Sequence, residues 1–355
     1  MNLKSFLPKR KILSLDIGSY EIKAVEGKVT KSQIRIDNFF TIPMPKGAYV
    51  NGQIMDRDLI FYVMNEEINN RKLKTKDVYL NINSPSIITR EIIIPKVEPE
   101  EIESVLSYQL EDYIPMNLDD YIVQFKTIGG FYEDEVEKLN ILIIAIPKEM
   151  VKNHYDLLVD LGLSPLVLDY QPNSIAKLIK YTDYINYRYP TENITFATID
   201  IGYDSTKVSI IKNGILQLSR VVEIGGKYID QSVLNFYEYT CEELQQAKEG
   251  INDISHIDGE DLDYSRLVSI VKNAFDTLNE KIEIIFRYYF TREMDNKIHT
   301  ILLYGGSSNI GGLPNLFSNY FDIPSIKVES LDNISFQGDM TKYINPIGSM
   351  IRSEV

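Results

Sequence analysis

A single cysteine, Cys241, leaves no partner for an internal disulfide in a chain of 355 residues, so a reducing compartment is expected. Long apolar runs are missing too. The longest strongly apolar stretch, Ile141 to Ile146, stops at Pro147, whereas a helix that spans a bilayer needs about 20 such residues. The opening from Met1 to Pro8 lacks the apolar segment of a secretory signal. The expectation is therefore a cytoplasmic protein that reaches a membrane only through partners. Basic charge is also scarce. With 37 Lys and Arg against 51 Asp and Glu, the net charge of −14 opposes a phosphate backbone and excludes nucleic-acid binding by bulk electrostatics. The run Lys9-Arg10-Lys11 is too short for a membrane patch and reads as a solvated leader.

What is present is an ordinary soluble composition, 44% hydrophobic and 25% charged, in a chain long enough for two domains with a core each. One pattern recurs. Leu15-Asp16-Ile17-Gly18-Ser19-Tyr20-Glu21-Ile22-Lys23 returns as Ile199-Asp200-Ile201-Gly202-Tyr203-Asp204-Ser205-Thr206-Lys207, with Asp, Ile, Gly and Lys at matching offsets. Each copy follows a β-rich run and precedes another, which predicts strand, tight turn, strand. Glycine lets the backbone of such a turn approach an anion closely, with N–H groups pointing at it. An aspartate beside that turn would repel a bare phosphate. Its presence suggests magnesium, which takes oxygen ligands and keeps several waters, so Asp16 and Asp200 can hold it from both sides. Alone, one Asp-x-Gly turn is an ordinary hairpin; two copies half a chain apart are much less so.

A third element is Ile301-Leu302-Leu303-Tyr304-Gly305-Gly306-Ser307, a buried-type strand running into a glycine turn, followed by the Gly311-Gly312 helix start. In this order the three resemble the phosphate-1, phosphate-2 and adenosine motifs of the actin-like superfamily, which includes actin, Hsp70 chaperones and sugar kinases. The resemblance implies an α/β, actin-like (ribonuclease H-like) two-domain fold, with a five-stranded sheet in each half and ATP with Mg2+ in the cleft between them. It assigns Asp16, Gly18, Ser19 and Lys23 to the first phosphate loop and Asp200, Gly202 and Ser205 to the second. Gly225 belongs to the glycine pair that opens the next helix, and Gly305, Gly306 and Ser307 to the adenosine motif. The helix Glu242 to Lys248 is similar to the one that approaches ribose and base, where the family places a Glu and, three residues later, a Lys; here Lys248 is kept and Gln245 replaces the acid. Tyr203 and Asp204 add bulk and negative charge beside the expected phosphates, so binding with slow or absent hydrolysis is expected. Gln171 reads either as a water-orienting side chain or as a cap of the helix near Pro172.

Val97-Glu98-Pro99-Glu100-Glu101-Ile102, leading to Tyr113-Ile114-Pro115, opens with proline and acids in the first turn and carries one apolar face. It resembles the signature helix of the PilM family of type IV pilus assembly proteins, set in an insertion placed as in the cell-division protein FtsA. The expected subdomains are 1–77 with 163–190, the insertion 78–162, 191–223 with 298–355, and a helical unit 224–297. This resemblance implies a scaffold that binds the N-terminal cytoplasmic peptide of PilN and communicates with the pilus motor ATPases. Tyr108, Tyr113 and Met116 are the candidate peptide contacts. An FtsA-like, filament-forming protein and a sugar-kinase-type phosphotransferase remain as alternatives. The chain's end lacks an FtsA-type amphipathic helix, and no segment reads as a kinase substrate domain.

Overall fold

A computed structural model describes residues 10–107, 110, 114, 117–256, 261–292 and 294–352. The described residues begin with three antiparallel strands, β1 (Ile12–Ile17), β2 (Glu21–Val29) and β3 (Ile34–Pro43). A two-strand ribbon, β4 (Tyr49–Val50) and β5 (Gln53–Ile54), and helix α1 (Arg57–Asn70) follow. Asp56 caps α1 by accepting the Leu59 N–H at 3.1 Å, which satisfies one orphan donor of the first turn. β6 (Asp77–Ile82) then lies parallel to β1, and the later β10 (Ser164–Tyr170) lies parallel to β6.

Between β6 and β10 sits the insertion. Its sheet has the order β7 (Ile88–Pro95), β9 (Val136–Pro147), β8 (Tyr121–Glu133), with helices α2 (Ile102–Ser107) and α3 (Lys148–Asp160). Alternation on β9 serves two cores. Ile141, Ile143 and Ala145 pack with Ile102 and Leu106 of α2, while Leu142 faces the main core of the first half. The insertion is also tied to the second half. The Thr89 hydroxyl donates to the Ser219 carbonyl at 3.2 Å, Arg220 donates to the Thr89 hydroxyl at 3.1 Å, and Glu91 pairs with Arg292.

Helix α4 (Gln171–Tyr181) and a small ribbon, β11 (Tyr184–Ile185) with β12 (Tyr189–Pro190), lead into the second half. There β13 (Thr195–Ile201), β14 (Thr206–Lys212) and β15 (Ile215–Val222) are antiparallel, and β16 (Thr300–Tyr304) and β17 (Ser325–Lys327) are parallel additions. The order β15–β14–β13–β16–β17 repeats β3–β2–β1–β6–β10 in both sequence and direction. Every residue of β13 is buried, as expected of a central strand covered on both faces. Helices α5 (Gly226–Leu234), α6 (Cys241–Glu249), α7 (Leu262–Phe290) and α8 (Leu313–Phe321) complete this half around a second core.

Three expectations shift. Residues 78–82, assigned to the insertion, form β6 between β1 and β10, because parallel pairing there completes the first sheet. That sheet has six strands, not five, since the two-residue β18 (Ile334–Ser335) pairs with β3. The tail assigned to the second half also returns to the first. Helix α9 (Met340–Ser349) buries Tyr343, Ile344 and Ile347 in the first core. It lies so close to α4 that a side chain at Gly348 would strike the Ser174 carbonyl. Among the described residues, no helix is long and apolar enough to cross a membrane.

Candidate functional site

The recurring Asp and Lys are ladder partners. Across the β1–β2 turn Asp16 lies opposite Lys23, and across the β13–β14 turn Asp200 lies opposite Lys207. Directly opposite residues of an antiparallel pair share a face, so each hairpin presents a carboxylate and an ammonium together. Lys23 Nζ is 3.7 Å from Asp16 Oδ2, and Lys207 Nζ is 3.8 Å from Asp200 Oδ2. Both carboxylates are buried. Burial alone would lower the Lys23 pKa, but the carboxylates of Asp16, Asp200 and Glu21 outweigh it and hold the ammonium above the ordinary lysine value.

Helices α4 and α9 close the floor. The Gln171 amide donates to Asp16 Oδ1 at 2.5 Å, and the Asn345 amide donates to Asp200 Oδ2 at 3.0 Å and to Asp16 Oδ2 at 3.5 Å. Asn345 thus bridges the two halves' carboxylates. The amide oxygens of Gln171, Asn345, Asn51 and Asn83 are buried and accept no hydrogen bond among the described residues, and all four residues border one cavity of about 500 Å3. Buried polar atoms without partners are rare enough to need an explanation. Among the described residues no cluster of three or more His, Cys, Asp or Glu could hold a bare metal ion. An oxygen-only set of two carboxylates and orphaned amide oxygens fits a cation that keeps its waters.

Of the residues picked out by sequence, Asp16, Gly18, Ser19, Lys23, Asp200, Gly202, Ser205, Lys248, Gly306 and Ser307 line this cavity. Gly225 and Gly305 shape its wall from behind. A Cβ at Gly225 would come within 2.6 Å of the Gly202 carbonyl, and Gly305 adopts φ +94°, a conformation that side chains disfavour. Tyr108, Tyr113 and Met116 lie outside the described residues.

Gln171 does not cap its helix, because Tyr170 is the residue before the first turn and the Gln171 amide is committed to Asp16. The bulk and charge of Tyr203 and Asp204 are partly turned to cross-cleft contacts. Tyr203 packs on Tyr20 with ring centroids 5.2 Å apart, and Asp204 Oδ2 accepts the Asn51 N–H at 3.3 Å. Both tyrosine hydroxyls have raised pKa values, chiefly from burial, and stay neutral at pH 7. Sequence reading missed Lys207, Asn345 and Asp230. The repeat itself carried the signal for Lys207; nothing local marked the other two. Lys248 is paired with Asp230 Oδ1 at 2.5 Å.

A profile of the family described as type IV pilus assembly protein PilM matches residues 14–345, nearly the whole chain. The chain belongs to the PilM family of type IV pilus assembly proteins. The fold of this PilM-family protein is similar to that of a chain in the structure of the PilM–PilN type IV pilus biogenesis complex, with 18% identity, 97% of each chain covered and a TM-score of 0.76. It is also similar to the ethanolamine utilization protein EutJ of Carboxydothermus hydrogenoformans, with 14% identity, 97% and 90% covered and a TM-score of 0.56. MreB5 of Spiroplasma citri, solved with AMPPNP, matches at 12% identity, with 97% and 96% covered and a TM-score of 0.55. The fold is actin-like.

Proposed function

We propose that this PilM-family protein is an ATP-binding scaffold of the pilus assembly platform, which loads magnesium–ATP in its cleft and holds the cytoplasmic tail of PilN. The observation that carries the nucleotide reading is the pair of Asp–Lys hairpins meeting at one floor beneath a shared cavity. Its volume of about 500 Å3 falls in the ordinary range for small-molecule sites. The turn N–H groups together with Lys23 and Lys207 suit the phosphates. Asp16 and Asp200 would hold hydrated magnesium through its waters, with Gln171 Oε1 and Asn345 Oδ1 accepting from the same shell. Magnesium supplies the positive charge that lets phosphates sit beside two carboxylates. That MreB5, a protein of similar fold, was solved bound to AMPPNP supports a nucleotide as the ligand. Tyr203 and Asp204 add bulk and negative charge at the second hairpin turn, and the Gln171 amide N–H is committed to Asp16, so turnover is expected well below about 1 per second.

The complex of a related PilM with PilN supports PilN as the partner. Extended peptides dock where a groove offers backbone pairing and side-chain pockets, and the groove between the insertion and the first half is the proposed seat. Tyr108, Tyr113 and Met116 are the proposed contacts, and signalling to the pilus motor ATPases would follow from occupancy. The test is fluorescence anisotropy of a labelled PilN tail peptide against folded Tyr113→Ala and, on the exposed face of α7, Ile284→Ser. Loss of binding in the Tyr113 variant alone is the expected result. Loss in the Ile284 variant alone places the peptide elsewhere.

A further inference from the structure

β15 is an edge strand of the second sheet, and α7 packs beside it. Between them lies an open groove of about 710 Å3, outside the cleft between the halves. Val221 and Ile224 line it from the strand side, and Ile284 and Tyr288 from the helix. Ile284 is 63% exposed and Tyr288 47%, so this apolar surface faces water in the single chain. The rim is basic, although the chain carries a net charge of −14. Arg220 and Lys281 border the groove, and Arg90 adjoins it, next to the Thr89 hydroxyl that accepts from Arg220. None of the three forms an ion pair among the described residues, and Glu223 is the one acid lining the groove. Burial lowers the Arg220 pKa and Arg90 lowers it further. An apolar groove with a cationic rim suits a segment that is apolar and acidic together.

Such a segment stands at the far end of the insertion. β8 and β9 meet in a two-residue turn, Asp134-Glu135, because Glu133 is opposite Val136. Every residue from Tyr132 to Val136 is exposed, with Tyr132 at 72% and Val136 at 51%. Glu133 is paired with Lys138, whereas Asp134 and Glu135 form no ion pair among the described residues. The ladder sets Tyr132 opposite Glu137, so Tyr132 and Val136 stand on opposite faces of the hairpin. A two-walled groove suits that arrangement. One side chain meets Val221 and Ile224, the other meets Ile284 and Tyr288, and the turn's carboxylates meet Arg220 and Lys281. The tip does not reach its own groove. Ile144, opposite Thr89 at the groove's rim, is eight residues from Val136 along β9, about 27 Å at roughly 3.4 Å per residue.

We propose that the β8–β9 hairpin tip of one copy docks in the β15–α7 groove of the next, a head-to-tail contact between copies of this chain. Because the two surfaces differ, each docked pair keeps one tip and one groove free, and association continues beyond a dimer. Copies of net charge −14 repel, but at about 0.15 M salt that repulsion is screened beyond about 8 Å, while the docked charges touch. A tip of this size makes a weak contact, with a dissociation constant on the order of 10–100 μM.

Sedimentation velocity of the nucleotide-free chain at about 0.15 M salt tests this. Wild type should be monomeric at about 1 μM and grow past a dimer by about 300 μM. Asp134→Lys/Glu135→Lys and Lys281→Glu/Ile284→Ser change exposed side chains, and thermal melting checks that both variants fold. Each variant alone should stay monomeric at about 300 μM, a loss of affinity of about tenfold or more. Mixed in equal amounts they should form a dimer and nothing larger, since the groove variant's intact tip meets the tip variant's intact groove. Wild type that stays monomeric overturns the proposal and leaves the groove to an acidic partner of another kind. A variant that associates as wild type does overturns it, as does a mixture that stays monomeric.

Discussion

Replacing Gly225 with alanine would drive a methyl group into backbone that has nowhere to go. The added Cβ would lie 2.5 Å from the Tyr203 carbonyl oxygen, 2.6 Å from that of Gly202 and 2.8 Å from the Ser205 nitrogen. To relieve this, α5 must lift off the second hairpin turn and stretch the Gly226 and Lys227 N–H bonds to it. Two such hydrogen bonds contribute about 1 kcal/mol each, and overpacking costs about 1–3 kcal/mol. Loss of glycine's freedom in the unfolded chain returns about 0.4–1 kcal/mol. The net expectation is a loss of about 2–4 kcal/mol, which at about 2–4 °C per kcal/mol for a unit of roughly 150–250 residues lowers the melting temperature by about 4–16 °C. Gly306 is the control, because nothing lies within 4 Å of a Cβ built there. Gly306→Ala should melt within about 2 °C of wild type, since a surface change is within about 0.5 kcal/mol. It borders the cavity, so its effect belongs to ligand binding alone. Differential scanning calorimetry of the two nucleotide-free variants decides; melting temperatures that coincide would refute the close-packing argument.

Cys241 is exposed and borders the cleft mouth, so saturating magnesium–ATP should slow its alkylation by a maleimide about tenfold, through the occupied fraction of the site. Equal rates with and without nucleotide would contradict the placement of the ligand. His154 gives a pH dependence. Its Nδ1 donates to the Met150 carbonyl at 2.8 Å, and in the neutral ring its Nε2 accepts from the Tyr49 hydroxyl at 3.0 Å. Burial lowers its pKa below the ordinary 6.5. Below pH 6.5 the unfolded chain therefore binds the extra proton, and stability is lost as pH falls toward the folded-state pKa. His154→Gln should melt lower at pH 7.5 but lose less between pH 7.5 and 5.5 than wild type, and an unchanged pH slope would remove His154 as the cause.

The hairpins were legible because their chemistry is local. Asp, Gly and Lys recur within one turn, and ladder register converts that spacing into contact. Asn345 is a different case. It reaches Asp16 and Asp200 from 329 and 145 residues away in the chain, through the packing of α9 against α4. No motif surrounds it, and a helix containing Pro346 gives little local signal of where it will dock. Asp230 escaped for a related reason. Its meaning depends on Lys248 from another helix, and periodicity shows which face a residue occupies, not which helix faces it. The insertion boundary slipped at β6 because a strand reads alike whether it closes one sheet or begins another, and parallel pairing with β1 is a long-range choice.

The central claim is that two facing Asp–Lys hairpins bind magnesium–ATP. Isothermal titration of ATP into wild type and Asp200→Ala, with magnesium and again with EDTA, tests it most directly. Asp200 is buried and partnered by Asn345 and Lys207, so the variant must first be shown to melt cooperatively. Wild type should bind in magnesium and lose most of its affinity in EDTA, while folded Asp200→Ala should bind weakly in both, as expected when about 1.5–3 kcal/mol of charged interaction is removed. An Asp200→Ala protein that binds magnesium–ATP as tightly as wild type contradicts the account.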